Sequence, residues 1–325
     1  MLDSTFENGR GSSTQQGEVG DFHSEYHQGT NTMTSTRSTK ARKAATTGKT
    51  ARGKRGRTST KAGKGRTAGA PPTLSSEDLA KILELGKKSH SIELKLSVPA
   101  AGHHATIKSL KLDPVEAQPR QAFFFDTPDL DLYQAGVVVR ARRIQGGRAD
   151  TVVKLRPVDP AEIDAKLRRS ASFKIEVDVM PGGFVCSASF KGACTGQEVL
   201  DVTAGAMPLS SLFSKEQRDF YDAHAPAGIR LDSLAALGPT FLLRAKHQPK
   251  DFDRRVTVEM WLYPDGSRVL EISTKALPEE AFQVGVEFKT YLARCGITLG
   301  ATQETKTKTA LEFFSKRLAA ERPPG

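Results

Sequence analysis

Arg140 and Arg142, Lys154 and Arg156, and Arg244 and Lys246 form three pairs of cations, each separated by a single residue. In an extended chain residues two apart share a face, so each pair points one way. Glu176 and Asp178 repeat that spacing with the opposite charge, and Glu93, Glu259 and Glu271 stand in similar alternating segments. Arginine forks and lysine point charges gathered on one surface have a clear chemical use, which is to neutralise a polyanion.

The segments that must position these residues alternate with period two, the signature of strands with one apolar and one polar face. Ile92–Val98 sets Glu93, Lys95 and Ser97 opposite Ile92, Leu94, Leu96 and Val98. Val137–Arg143 and Thr151–Arg156 flank Gly146-Gly147 and read as a hairpin, and Phe173–Val179 opposes Lys174, Glu176 and Asp178 to an apolar face. Leu242–Lys246 carries the third cation pair; Val256–Leu262 and Val269–Lys275, joined by Pro264-Asp265-Gly266, carry Glu259 and Glu271. Faces meant only for water would mix Thr, Gln and scattered charge. Recurring pairs instead fit a sheet closed around a polyanion, with helices covering its apolar outside. Helix candidates are a capped segment from Ser75, then Pro208–His224, Pro278–Gly296 and Gln303–Glu321.

In this order the segments resemble the CYTH domains, the triphosphate tunnel metalloenzymes. Ser91-Ile92-Glu93-Leu94-Lys95 is similar to their ExExK signature, Phe123–Leu132 (FFFDTPDLDL) to Y-x-D-T-P, and Val137–Arg142 to LRxR. Thr151–Arg156, Phe173–Asp178 and Arg268–Lys275 are similar to the LK, ExE and late acidic strands, so the resemblance spans about residues 90–310. It implies an α+β fold, an eight-stranded antiparallel barrel with helices packed outside. It also implies that Lys95, Arg140, Arg142, Lys154, Arg156, Arg244 and Lys246 grip a triphosphate. Glu93 and Glu271, supported by Glu176, Asp178 and Glu259, would hold Mg²⁺ or Mn²⁺ for attack by water on a terminal phosphorus.

The expected function is therefore a divalent-metal-dependent phosphohydrolase acting on tripolyphosphate or a nucleoside triphosphate. The alternatives are a weakly catalytic or non-catalytic polyphosphate or nucleotide receptor, and an adenylyl cyclase. Two departures favour the receptor: Ser91 replaces the first acid of ExExK, and Ser273 and Lys275 stand where the late strand usually carries acids. A lysine there could take the place of a cation. Lys306 and Lys308 sit where the family often has a Ser-Lys pair; a solvated helix face is the other reading.

Composition sets the outer limits. The chain has 325 residues and a net charge of +11, divided as −4 over residues 1–25, +12 over 26–76 and +3 over the rest. Between Tyr26 and Leu74 there is no Val, Ile, Leu, Phe or Trp, so residues 1–74 read as a disordered tail and 75–325 as the folded domain. The polycation at 40–66 would attract nucleic acid without reading sequence, or simply solubilise the chain. Within it, Gly48–Arg55 nearly spells a P-loop, but Arg55 stands in the Ser/Thr position. The three cysteines follow no zinc spacing, no apolar run approaches a membrane span, and the first ten residues lack a signal core, so a cytoplasmic protein with no membrane partner is expected.

Other residues read structurally. Trp261 falls on the ionic face and reads as an aromatic packed against a helix, with base stacking as the alternative. His103 and His104 read as surface residues, Asp126 and Asp129 as turn or helix caps, and Gly182-Gly183 as a loop. Residues 186–236 read as an insertion, helical or partner-binding.

Overall fold

The computed structural model describes residues 73–298, 300 and 306–321. The tail at 1–72, with its 40–66 polycation, lies outside the described residues; Leu74 already packs against the core.

Among the described residues nine strands close into one barrel. They are β1 (Ser91–Val98), β2 (Gln118–Asp126), β3 (Val137–Ile144), β4 (Ala149–Leu155), β5 (Phe173–Met180), β6 (Gly183–Cys194), β7 (Ala235–His247), β8 (Val256–Leu262) and β9 (Arg268–Ala276). Their order around the barrel is β1-β5-β6-β4-β3-β2-β7-β8-β9, and β9 pairs back onto β1. The expected eight antiparallel strands are thus corrected to nine in a mixed barrel, because β1 runs parallel to β5. A parallel neighbour leaves no hairpin in the sequence to announce it.

Two further corrections concern connections. The segment 186–236 is not wholly an insertion: β6 occupies Gly183–Cys194, pairing β4 on one side and β5 on the other. Only α5 (Gly196–Thr203), α6 (Lys215–Asp222) and two short 3₁₀ turns lie between it and β7. Gly183 accordingly opens a strand, while Gly182, at φ 77°, makes the turn before it. His103 is buried, not superficial, with Nε2 3.0 Å from the Val98 carbonyl oxygen.

Alternation divides the barrel as expected. On β3, Val137, Val139 and Ala141 point out into the main core while Val138, Arg140 and Arg142 point in. Phe173, Ile175 and Val177 of β5, and Leu270 and Ile272 of β9, do the same against Glu176, Asp178, Glu271 and Ser273. Helices cover the apolar outside. Ser75 and Asp78 form a reciprocal capping box at the start of α1 (Ser76–Lys87), at 3.0 and 2.9 Å, and Thr195 and Ser214 begin α5 and α6 in the same way. Phe220 of α6 meets Phe173 edge-on at 5.6 Å. Phe288 and Tyr291 of a later helix, Ala281–Arg294, stack on Phe252.

A second apolar cluster lies inside the barrel. Ala122, Phe124, Val138, Leu242, Trp261 and Val269 all belong to inward faces, and they pack against Ala310, Leu311 and Phe314 of the final helix, Lys306–Glu321. That helix fills one end of the barrel, held by Tyr263 Oη donating to the Lys306 carbonyl (3.2 Å) and Ser315 Oγ donating to that of Pro128 (2.7 Å). At the end of β2, Asp126 accepts from the backbone N–H groups of Thr127, Leu132 and Tyr133, its expected capping role.

Gly136 then turns the chain at φ 77°, and its carbonyl accepts from the Arg156 N–H at 2.8 Å. A Cβ there would stand 2.5 Å from the Arg156 carbonyl oxygen. Gly136→Ala should therefore cost about 1–3 kcal/mol in urea unfolding. It should also displace Arg156, which lines the chamber described next.

Candidate functional site: a basic chamber inside the barrel

Among the described residues the inward faces enclose a chamber of about 330 Å³, lined by nine Lys and Arg against five Asp and Glu. Of the seven cations expected to bind phosphate, Lys95, Arg140, Arg142, Lys154, Arg156 and Arg244 line it. Lys246 does not; it is exposed near the end of β7. The five expected carboxylates, Glu93, Glu176, Asp178, Glu259 and Glu271, all line it as well.

Sequence reasoning did not single out Lys191, and it left Lys306 open and gave Lys275 only as a departure; all three line the chamber. Lys191 follows Phe190 in a strand of small residues whose alternation is faint. Lys306 arrives from a helix, where strand spacing offers no clue. Lys308 is exposed beside Glu312 at 3.7 Å, as a solvated helix face requires.

The charges fall into three groups. In the first, Lys95 Nζ stands 3.3 Å from Glu93 and 3.0 Å from Asp178, while Lys154 reaches Asp178 at 3.5 Å. Lys275 pairs with Glu176, lies 3.9 Å from Glu93, and Ser91 Oγ donates to Glu176 at 3.2 Å. Burial opposes the charge on Lys95, but Glu93, Asp178 and Glu271 outweigh it and its pKa rises. Burial likewise opposes the Asp178 charge, yet Lys95 and Lys154 hold its carboxyl down to about 2.

In the second group, Lys306 Nζ lies 2.7 Å from both Glu259 Oε2 and Glu271 Oε1. Trp261 Nε1 donates to Glu259 at 3.2 Å, and its ring centroid is 5.0 Å from the ammonium. Trp261 is 3% exposed, packed against the final helix as expected.

The third group is crowded with guanidiniums. Arg142 is neutralised by a two-pronged bond to Asp150 at 2.9 and 2.7 Å, and Arg120 bonds to Gln118 Oε1. Burial, with Arg142 and Arg120 nearby, pushes the Arg140 pKa down; Arg142 and Arg244 add to burial at Arg120. Arg140 Nε and Arg244 Nε are buried and have no hydrogen-bond partner, Arg244 Nε being 3.5 Å from Glu259 without bonding it. Unmet donors on buried cations are costly, and a bound anion would satisfy them.

The residues do not fit Mg²⁺ or Mn²⁺ as placed. Mg²⁺ needs close octahedral oxygen ligands. Here every lining carboxylate has a lysine within 4 Å. Among the described residues no group of three or more His, Cys, Asp or Glu converges on a point. A second cavity, about 430 Å³, lies outside the barrel between α1, β1 and Ala281–Arg294; its walls are largely apolar and bring no acids together.

No family model matches the chain, and no curated protein matches it in sequence. Solved structures do. A Hippeastrum protein designated an adenylyl cyclase, with a dominant triphosphatase activity, is 19% identical over 69% of this chain and 96% of its own, with a TM-score of 0.52. A Bacillus halodurans protein designated an adenylate cyclase is 18% identical over 68% and 97%, with a TM-score of 0.49. The chain has the tunnel fold of the CYTH proteins its sequence resembles.

Proposed function

We propose that the chamber receives the triphosphate group of inorganic tripolyphosphate or of a nucleoside triphosphate. The observation that carries this reading is the pair of buried Nε–H donors on Arg140 and Arg244 that make no hydrogen bond, Arg244 Nε facing Glu259 only at ion-pair distance. Among the described residues they belong to a lining of nine Lys and Arg against five Asp and Glu, with Arg142 already neutralised by Asp150. A triphosphate carries about four negative charges near neutral pH, so it would offset the positive charge that remains. The final helix closes one end, so a triphosphate enters terminal phosphate first and any nucleoside stays near the mouth.

Hydrolysis is the second reading, favoured by the triphosphatase activity named for the Hippeastrum protein. Water would attack the terminal phosphorus, the bridging P–O bond would break, and diphosphate or a nucleoside diphosphate would leave. Arginines and lysines would stabilise charge on the transferred group. A cyclase needs a surface for adenine; the Trp261 indole in the chamber wall is 3% exposed, and the Lys306 ammonium already lies 5.0 Å from its ring centroid. The polycation at 40–66 is proposed to bind nucleic acid without sequence preference. No described helix is long and apolar enough to cross a membrane.

The test is calorimetric titration of the full chain with tripolyphosphate and ATP, alongside phosphate release. Stoichiometric binding of both supports the reading. Binding of neither, with the protein folded, refutes it.

A pH dependence follows. Burial, with Lys95 and Arg156 nearby, pushes Lys154 down to about 8 against the pull of Asp178. A bound polyanion favours the charged form, so binding takes up a proton as pH rises past 8. Affinity should fall about tenfold between pH 7 and 9. Titrations in buffers of different ionisation enthalpy would detect the proton; flat affinity across that range would exclude Lys154 as a contact.

A further inference from the structure

Resting on the triphosphate reading, we infer that the chamber binds its anion without a divalent metal, because lysine ammoniums already occupy the places between its carboxylates. Lys306 shows the arrangement most fully. Glu259 and Glu271 are direct partners across β8 and β9, and the ammonium sits 2.7 Å from an oxygen of each with the Trp261 ring at 5.0 Å. Two carboxylates and an aromatic face make a complete cage for a monovalent cation. Its side chain is 14% exposed, so the cage is largely dry.

The other group is built alike. Lys95 bridges Glu93 and Asp178, and Lys275 reaches from Glu176 toward Glu93. Where an acid could complete a set of metal ligands, there are serines. Ser91 spends its hydroxyl on Glu176, and Ser273 is the cross-strand partner of Lys95. A metal ion entering either group would have to break charge-assisted bonds and leave the displaced ammonium beside it, like charge against like. In the triphosphate complex these lysines remain on their carboxylates and supply the positive charge that a metal would otherwise bring. Free Mg²⁺ then acts only in solution, by complexing the anion and competing with the chamber.

The experiment is calorimetry of the full chain with tripolyphosphate in excess EDTA and in MgCl₂, with Mn²⁺ binding followed by electron paramagnetic resonance. The expected result is equal or tighter binding in EDTA and no stoichiometric Mn²⁺ on the wild-type protein. Replacing the ammoniums, in Lys275→Ala with Lys306→Ala, should create an Mn²⁺ site, with a thermal melt confirming that the variant folds. Binding that weakens about tenfold or more in EDTA, or stoichiometric Mn²⁺ on the wild-type chain, overturns the inference and leaves the triphosphate reading standing. A folded double variant that takes no Mn²⁺ also overturns it. No tripolyphosphate binding in either buffer removes the triphosphate reading, and the inference with it.

Discussion

Arg140→Ala should weaken tripolyphosphate binding by about 100-fold while leaving the free protein as stable as before, or slightly more so. The two effects separate because Arg140 is costly until an anion arrives. Its Nε is buried without a partner, and burial and neighbouring guanidiniums disfavour its charge. Removing the side chain relieves that cost in the empty chamber. In the complex it removes charge-assisted bonds worth about 1.5–3 kcal/mol each. Arg140→Lys keeps the charge but loses the planar fork, and should weaken binding about tenfold. Calorimetry and urea unfolding on the same samples read the two quantities. An Arg140→Ala protein with unchanged affinity would exclude Arg140 from the site, and one with collapsed stability would make it a structural residue.

Trp261→Ala should produce the largest loss of stability, about 3–5 kcal/mol in urea unfolding. The indole is 3% exposed, packs with Phe124 and Leu242 against the final helix, donates to Glu259, and lies under Lys306. Trp261→Phe retains most of the packing and loses the Nε1–H bond, so about 1 kcal/mol is expected. The contrast between the variants distinguishes the packing of the plug from the polar contact. Equal, small losses in both would mean that the inner cluster does not hold the helix in place. Because Trp261 is the only tryptophan, its fluorescence also follows the chamber directly when an anion is added.

The strands legible in the sequence were those with one apolar and one ionic face. In β3, β5, β8 and β9 the outer residues meet covering helices and the inner ones meet a polar chamber, so period two survives. It fails in β2. Phe123, Phe124 and Phe125 are all buried, because the outer pair meets the main core and Phe124 meets the plug. A strand apolar on both faces shows no period. β6 was missed for a related reason: its inward Ser187 and Ser189 are small, and its outward Cys186, Ala188 and Phe190 form no strong contrast with them.

The inner-face groups legible in the sequence, such as Lys95, Arg140, Lys154 and Glu176, are those whose own strands alternate clearly, whatever strand lies beside them. The site was not legible where a charge is answered from elsewhere. Asp150 neutralises Arg142 across the β3–β4 hairpin, and Lys306 enters from a helix that plugs the barrel. Strand spacing names the groups on an inner face; which carboxylate each lysine satisfies is decided by the closed barrel.

The measurement that bears most directly on the central claim is a crystal structure of the full chain grown with tripolyphosphate and EDTA. The account predicts one anion inside the barrel, with oxygens bonded to Arg140 Nε and Arg244 Nε and a phosphate close to Lys154. An empty chamber at saturating tripolyphosphate, with the anion found only on the outer surface, would contradict it.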